Sequence, residues 1–195
     1  MSARLGYAVE DDRLAVRGRT LVLGVILFLA SELMFFAAWF AAYFDLRGQT
    51  RQWPPPGVHL DPVEPGIGTA LLGLSSLVVI VATHAIRRGR YGLARGTLVT
   101  AIACGIAFLG LTAHEWATNG YTFASHAYGS LHYGITGFHA AHVTAGLFAL
   151  TLLAIGVRRP AFHGQDFAGA EAIGYYWHFV FIVWAGIYAL IWFVR

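Results

Sequence analysis

Residues 31–44, SELMFFAAWFAAYF, place a single carboxylate, Glu32, inside a long apolar run. An acid at the centre of a membrane-spanning helix costs about 2.5–3.5 kcal/mol on insertion scales, so it must face protein or water, pair, or carry a proton. Two chemistries fit: a proton relay or ion site, and a hydrogen bond that ties helices together. Farther along, GFHAAHVTAG carries His139 and His142 three residues apart, on one face of a helix. EAIGYYWHFVFIVW carries Glu171, Tyr175 and His178, spaced four and three apart and again on one face. Glu115 follows His114 at the end of another apolar run, and His84 lies near the end of one more.

Metal or haem ligation is the sharp reading of the histidines. Zinc sites want three or four ligands, and neither an acid nor a cysteine stands beside His139 and His142. Two histidines on one helix face cannot grip a haem from opposite sides, which leaves only His139 with His178 for that role. Helix-bridging hydrogen bonds are the ordinary use of such side chains in membrane bundles. The expected assignment is therefore no metal and no catalytic residue in this chain, with His139, His142, His178, Glu171, Tyr175 and Glu115 as helix-bridging polar groups. Gly137, Ala141 and Ala145 form a small-residue stripe at four-residue spacing, where another helix can come close. No glycine-rich phosphate loop occurs, although there are 23 glycines.

These side chains need a membrane bundle to position them. Of 195 residues, 57% are hydrophobic and 12% charged, too apolar for a water-soluble domain. Cys104 is the only cysteine and reads as a small buried hydrophobe. Five runs reach the roughly 20 residues that a spanning helix needs, at about 20–44, 67–86, 94–117, 132–157 and 170–193. The fold class is all-α: an integral membrane bundle of five transmembrane helices, residues 19–195, preceded by a cytoplasmic surface segment at 1–18.

Every basic residue is arginine. The N-terminal segment, the second loop and the fourth loop hold ten of them (Arg4, Arg13, Arg17, Arg19, Arg87, Arg88, Arg90, Arg95, Arg158, Arg159). The first loop and the C-terminus hold Arg47, Arg51 and Arg195. The positive-inside rule then puts the N-terminus in the cytoplasm and the C-terminus outside. Grouped this way between apolar runs, a net charge of +3 points to membrane topology and not to nucleic acid. Trp53, Trp116, Tyr121, Tyr128 and Tyr175 lie near helix ends, as an interfacial aromatic belt would have them. The first loop, with Pro54, Pro55 and Pro56, reads as an ordered extended strap. The third loop, TNGYTFASHAYGSL, reads as a packed aromatic cap.

From about residue 20 to the C-terminus the chain resembles subunit III of the haem–copper cytochrome c oxidases, in the short form found in actinobacteria and some other bacteria. The resemblance rests on SELMFFAAWFAAYF at 31–44, WPPP at 53–56, HEW at 114–116, SHAYGSLHYGITGFHAAHVTAG at 125–146 and YYWHFVFIVW at 175–184, in that order and spacing. It implies an accessory subunit with no redox centre or cofactor of its own, the haem and copper sitting in partner subunits I and II. It implies packing chiefly on subunit I, bound phospholipid, and support of proton uptake and of the complex's stability during O2 reduction. It further implies a multi-pass protein of the bacterial plasma membrane, and leaves room for a larger respiratory supercomplex. Glu32 matches the family's buried acid, His139, His142 and His178 its helix-bridging histidines, and Glu115 an acid that usually follows a Gln-containing segment.

Two departures stand out. Longer family members have seven helices, and this chain lacks the counterparts of the first two, which form one arm of a lipid-filled cleft. The last helix reads HFVF where the family usually reads HFVD, so Phe181 stands in place of an acid. The alternatives are an accessory subunit of a quinol oxidase or nitric oxide reductase and, in another class, a stand-alone membrane haem or ion carrier.

Overall fold

A computed structural model describes residues 2–159 and 167–194, with side chains described from residue 16 onward apart from Arg17. Arg195, counted above for orientation, lies outside the described residues, as do the side chains of Arg4, Arg13 and Arg17. Five α-helices follow in order: α1 (Ser2–Gln49), α2 (Val63–Arg87), α3 (Tyr91–Thr118), α4 (Ala127–Gly156) and α5 (Ala168–Tyr188). A short π-helical stretch, Ala189–Phe193, continues α5. Among the described residues there is no strand. All five helices are long and apolar enough to cross a membrane, the first over Gly18–Gln49. Within hydrocarbon only a helix or a closed barrel satisfies every backbone group, which is why apolar runs of this length fold this way.

The first helix differs most from expectation. It begins at Ser2, so the N-terminal segment is a helical extension of the first span. No proline interrupts residues 2–49, and alanine, leucine and arginine support helix there. Helix α1 ends five residues before Pro54, and α2 starts directly after Pro62, where the Asp61 carboxylate accepts the Val63 N–H at 2.9 Å.

Helices α2 and α3 are joined by a tight turn that sequence chemistry dictates. Arg90 N–H bonds Ala85 C=O at 2.8 Å, and Gly89 N–H bonds Ile86 C=O at 3.0 Å. This Schellman closure needs a left-handed residue, supplied by Gly89 at φ +68°.

The core lies between α2, α3, α4 and α5, while α1 leans on α5 and α4 from one side. Close approach is set by glycine notches that receive rings. A Cβ on Gly146 would stand 2.7 Å from Trp177, and one on Gly134 would stand 2.7 Å from Trp39. These are the seams of the bundle. In the chain taken alone, Ala141 and Ala145 of the expected stripe are exposed, and a Cβ on Gly137 would meet only Trp116, at 3.9 Å. Within the chain, the row of α4 that faces its neighbours carries Gly134 and Gly146.

Both loops are ordered. Trp53 packs edge-on against Tyr43 and Tyr128, with ring centroids 5.4 and 5.2 Å apart. Tyr121 and Tyr128 are 8% and 1% exposed, so they belong to the buried cap and not to an aromatic belt. The third loop folds Tyr121 inward against α4, where it and Tyr128 of the first turn of α4 surround His132.

Candidate functional site

Glu32 sits halfway along the first span and His142 halfway along α4, so packing α1 on α4 brings them to the same depth. His142 Nε2 lies 2.9 Å from Glu32 Oε2. The other ring nitrogen, Nδ1, is 2.7 Å from the Phe138 carbonyl of its own helix. A carbonyl can only accept, so Nδ1 carries a hydrogen. The Nε2···Oε2 contact then holds one proton, either on the imidazole facing a carboxylate or on the carboxyl facing a neutral imidazole. Both states are neutral overall, which suits apolar surroundings.

The pair is held from several sides. Tyr176 donates its hydroxyl to the His142 carbonyl at 3.0 Å. The Phe36 ring, 1% exposed, lies 5.1 Å from the imidazole, and the neighbouring Phe35 ring lies 6.5 Å from it. The side chains of Glu32 and His142 keep 21% and 16% exposure, so the pair borders the surface of the chain.

His139 turns the other way. It is 1% exposed and donates Nε2–H to the Val180 carbonyl of α5 at 3.0 Å. Its Nδ1 is buried without a partner. His178 Nδ1 lies 2.6 Å from the Ser76 hydroxyl, bridging α5 to α2. The histidine pair left open for haem thus bonds through one nitrogen each, His139 to Val180 and His178 to Ser76. Among the described residues no three His, Cys, Asp or Glu side chains come together as a metal site.

Glu171, Tyr175 and His178 do share a face. With Ile80, Thr83, His84, Arg87 and Gly174 they line a cleft between α5 and α2, where Arg87 and Glu171 form an ion pair. Glu115 turns to His132 of α4, its Oε1 3.4 Å from Nε2, while the neighbouring His114 faces Glu64 at 3.1 Å. Phe181 fills the groove over Gly73 of α2, where a Cβ would stand 3.3 Å from its ring.

Sequence reasoning missed the hydroxyls of α2. Trp177 donates its indole N–H to Ser75 at 2.9 Å, Ser75 donates to the Ala101 carbonyl of α3 at 3.1 Å, and Trp184 donates to Thr69 at 2.9 Å. Serine pairs in apolar helices are a general signal for such bridges, but nothing local names the partner. It also passed over His132, whose Nδ1 is bonded to the Tyr121 hydroxyl.

The sequence pattern of cytochrome c oxidase subunit III matches residues 8–195. The chain belongs to that family. It is 38% identical to a probable cytochrome c oxidase subunit 3 of Mycobacterium tuberculosis over 177 residues, 88% of this chain and 87% of that protein. It is 36% identical to cytochrome c oxidase subunit 3 of Thermostichus vulcanus over 192 residues, 95% and 93% of the two chains. Against the chicken (Gallus gallus) subunit 3 the identity is 37% over 175 residues, 85% of this chain and 66% of that longer one. An oxidase subunit has other oxidase subunits as partners, and the five spanning helices place this one in a membrane.

Proposed function

We propose that the chain is the non-redox subunit III of a proton-pumping haem–copper oxidase in a bacterial plasma membrane, with its N-terminus cytoplasmic. It packs mainly on subunit I, meets subunit II, and holds phospholipid along its exposed apolar faces. It supports proton uptake by subunit I and prolongs the active life of the complex, while haem and copper remain in the partners. The observation that supports this reading is the Glu32–His142 pair. It lies at mid-depth, is closed on the core side by Phe36 and Tyr176, and remains partly open outward. A group that holds one proton there suits a subunit that works beside a proton path without doing redox chemistry.

The test is the time course of oxygen consumption by the purified oxidase carrying Glu32→Ala. The expected outcome is a near-normal initial rate followed by faster loss of activity. Equal initial rates and equal active lifetimes would remove the proton-linked role and leave the pair as a helix tie.

A further inference from the structure

The third loop closes on the first turn of α4, and the residue at the junction is His126, the N-cap of that helix. Its Nδ1 accepts the Gly129 N–H at 2.8 Å. A backbone amide can only donate, so Nδ1 is unprotonated and the single ring hydrogen sits on Nε2. The bond therefore exists only while the imidazole is neutral. Protonation puts a hydrogen on Nδ1, removes the acceptor, and sets a positive charge at a helix N-terminus, where cations are disfavoured.

Helix N-caps are ordinarily Ser, Thr, Asp or Asn, whose oxygens accept at neutral and mildly acid pH alike. Ser125, one residue earlier, is engaged within the loop, where its hydroxyl accepts the Thr122 N–H at 2.9 Å. Loop and helix are locked together around Gly129. A Cβ there would stand 2.5 Å from the Thr122 carbonyl, the Ser130 hydroxyl donates to the Phe123 carbonyl at 2.7 Å, and the Tyr133 hydroxyl donates to the Tyr121 carbonyl at 2.9 Å. The His126 bond is the one of these links that acidification undoes. His126 is only half-buried, so water reaches it. The titratable side chains facing it are Tyr121 from the loop, with ring centroids 5.3 Å apart, and Tyr128 from α4, at 6.1 Å. His132 lies behind both rings, and Glu115 behind His132. Among the described residues no carboxylate lies within ion-pair distance of His126, so its imidazolium gains no counter-ion.

We propose that His126 is a pH-sensitive latch on the third loop. Neutral, it holds the loop on α4; protonated, it releases the first turn of α4 and loosens the loop. Which compartment it reads rests on the orientation proposed above: with the N-terminus cytoplasmic, the latch faces the outer aqueous phase, into which a proton pump releases its protons.

The experiment is hydrogen–deuterium exchange of the purified oxidase complex in detergent, at several pH values across the interval in which histidines change charge, about pH 5 to 8. Rates for peptides covering residues 119–131 are divided by the chemical exchange rate at each pH, which leaves the protection due to structure. The native complex is expected to lose protection about 2- to 30-fold on acidification, the range equivalent to loss of an N-cap. His126→Asn, whose side-chain oxygen accepts throughout this interval, is expected to keep its protection. His114→Gln, which removes the exposed histidine paired with Glu64 and leaves the N-cap intact, is expected to respond like the native complex. Native protection that does not change with pH overturns the proposal, as does a pH response that persists in His126→Asn or vanishes in His114→Gln. If His126→Asn fails to assemble, His126→Ser decides on the same outcomes. The readout does not depend on which way the chain crosses the membrane, so a negative result counts against the latch and not against the orientation.

Discussion

Glu32 of α1 and His142 of α4 meet at 2.9 Å, halfway along their spans, with the second imidazole nitrogen already bound to the Phe138 carbonyl. That second bond restricts the contact to one shared proton. Removing either partner leaves the other polar and unsatisfied, which costs about 1–3 kcal/mol for a buried group.

Glutamine at position 32 tests the proton separately from the tie. Glu32→Gln can still donate to a neutral His142 Nε2, so assembly and thermal stability of the oxidase should stay close to native. Glu32→Ala should lower thermal stability, because Nε2 loses its partner. Differential scanning fluorimetry of the two purified complexes checks this. Equal losses would mean that the contact contributes no hydrogen bond.

The ring notches predict a sharp contrast between two glycines on one helix. Gly146→Ala drives a Cβ to 2.7 Å from Trp177, which is 1% exposed and cannot swing away. Overpacking of this kind costs about 1–3 kcal/mol. Gly137→Ala meets nothing nearer than Trp116 at 3.9 Å and should be nearly neutral for the fold of the chain. Thermal denaturation in detergent should separate the two, and an equal response would show that the notch at Gly146 is not tight.

Ser75 links three helices, taking the Trp177 indole N–H and donating to Ala101. Ser75→Ala orphans a buried indole N–H and should cost about 1–3 kcal/mol. Ser76→Ala instead releases His178, which is only partly buried, and should cost less. The order of the two melting temperatures is the check.

Alkali should weaken the loop cap through Tyr121. Its hydroxyl is pushed well above the usual phenol range, first by burial, then by the Glu115 charge and then by Tyr133. A group whose folded value is raised holds its proton longer folded than unfolded. Its contribution is complete below the unfolded value near 10 and falls as pH rises beyond it. Melting temperatures between pH 9 and pH 11, on the alkaline limb where this phenol titrates, should fall less steeply for Tyr121→Phe than for the native chain. Parallel curves would show that Tyr121 is not the group responsible.

Much of this architecture is written locally, and the rest depends on which faces meet. Glu32 stands out because one charge interrupts an apolar run. Its partner does not, because His139 and His142 share a helix face and only packing sends one to Val180 and the other to Glu32. The glycines of α4 that pack within the chain are hidden for the same reason. Gly134 and Gly146 earn no more weight than Gly137 until Trp39 and Trp177 are seen to fill them. Tyr121 and Tyr128 near helix ends look like membrane-interface rings, but the third loop and the first turn of α4 direct them in against His132. The helical extension of α1 to Ser2 lies where charged residues obscure a hydrophobic pattern.

The most direct measurement is a double-mutant cycle on the lifetime of oxidase turnover, using Glu32→Ala, His142→Ala and the two combined. If the residues act as one proton-holding pair, the double variant should lose activity no faster than the worse single variant. Losses that simply add would contradict the account, because they would show that Glu32 and His142 act independently.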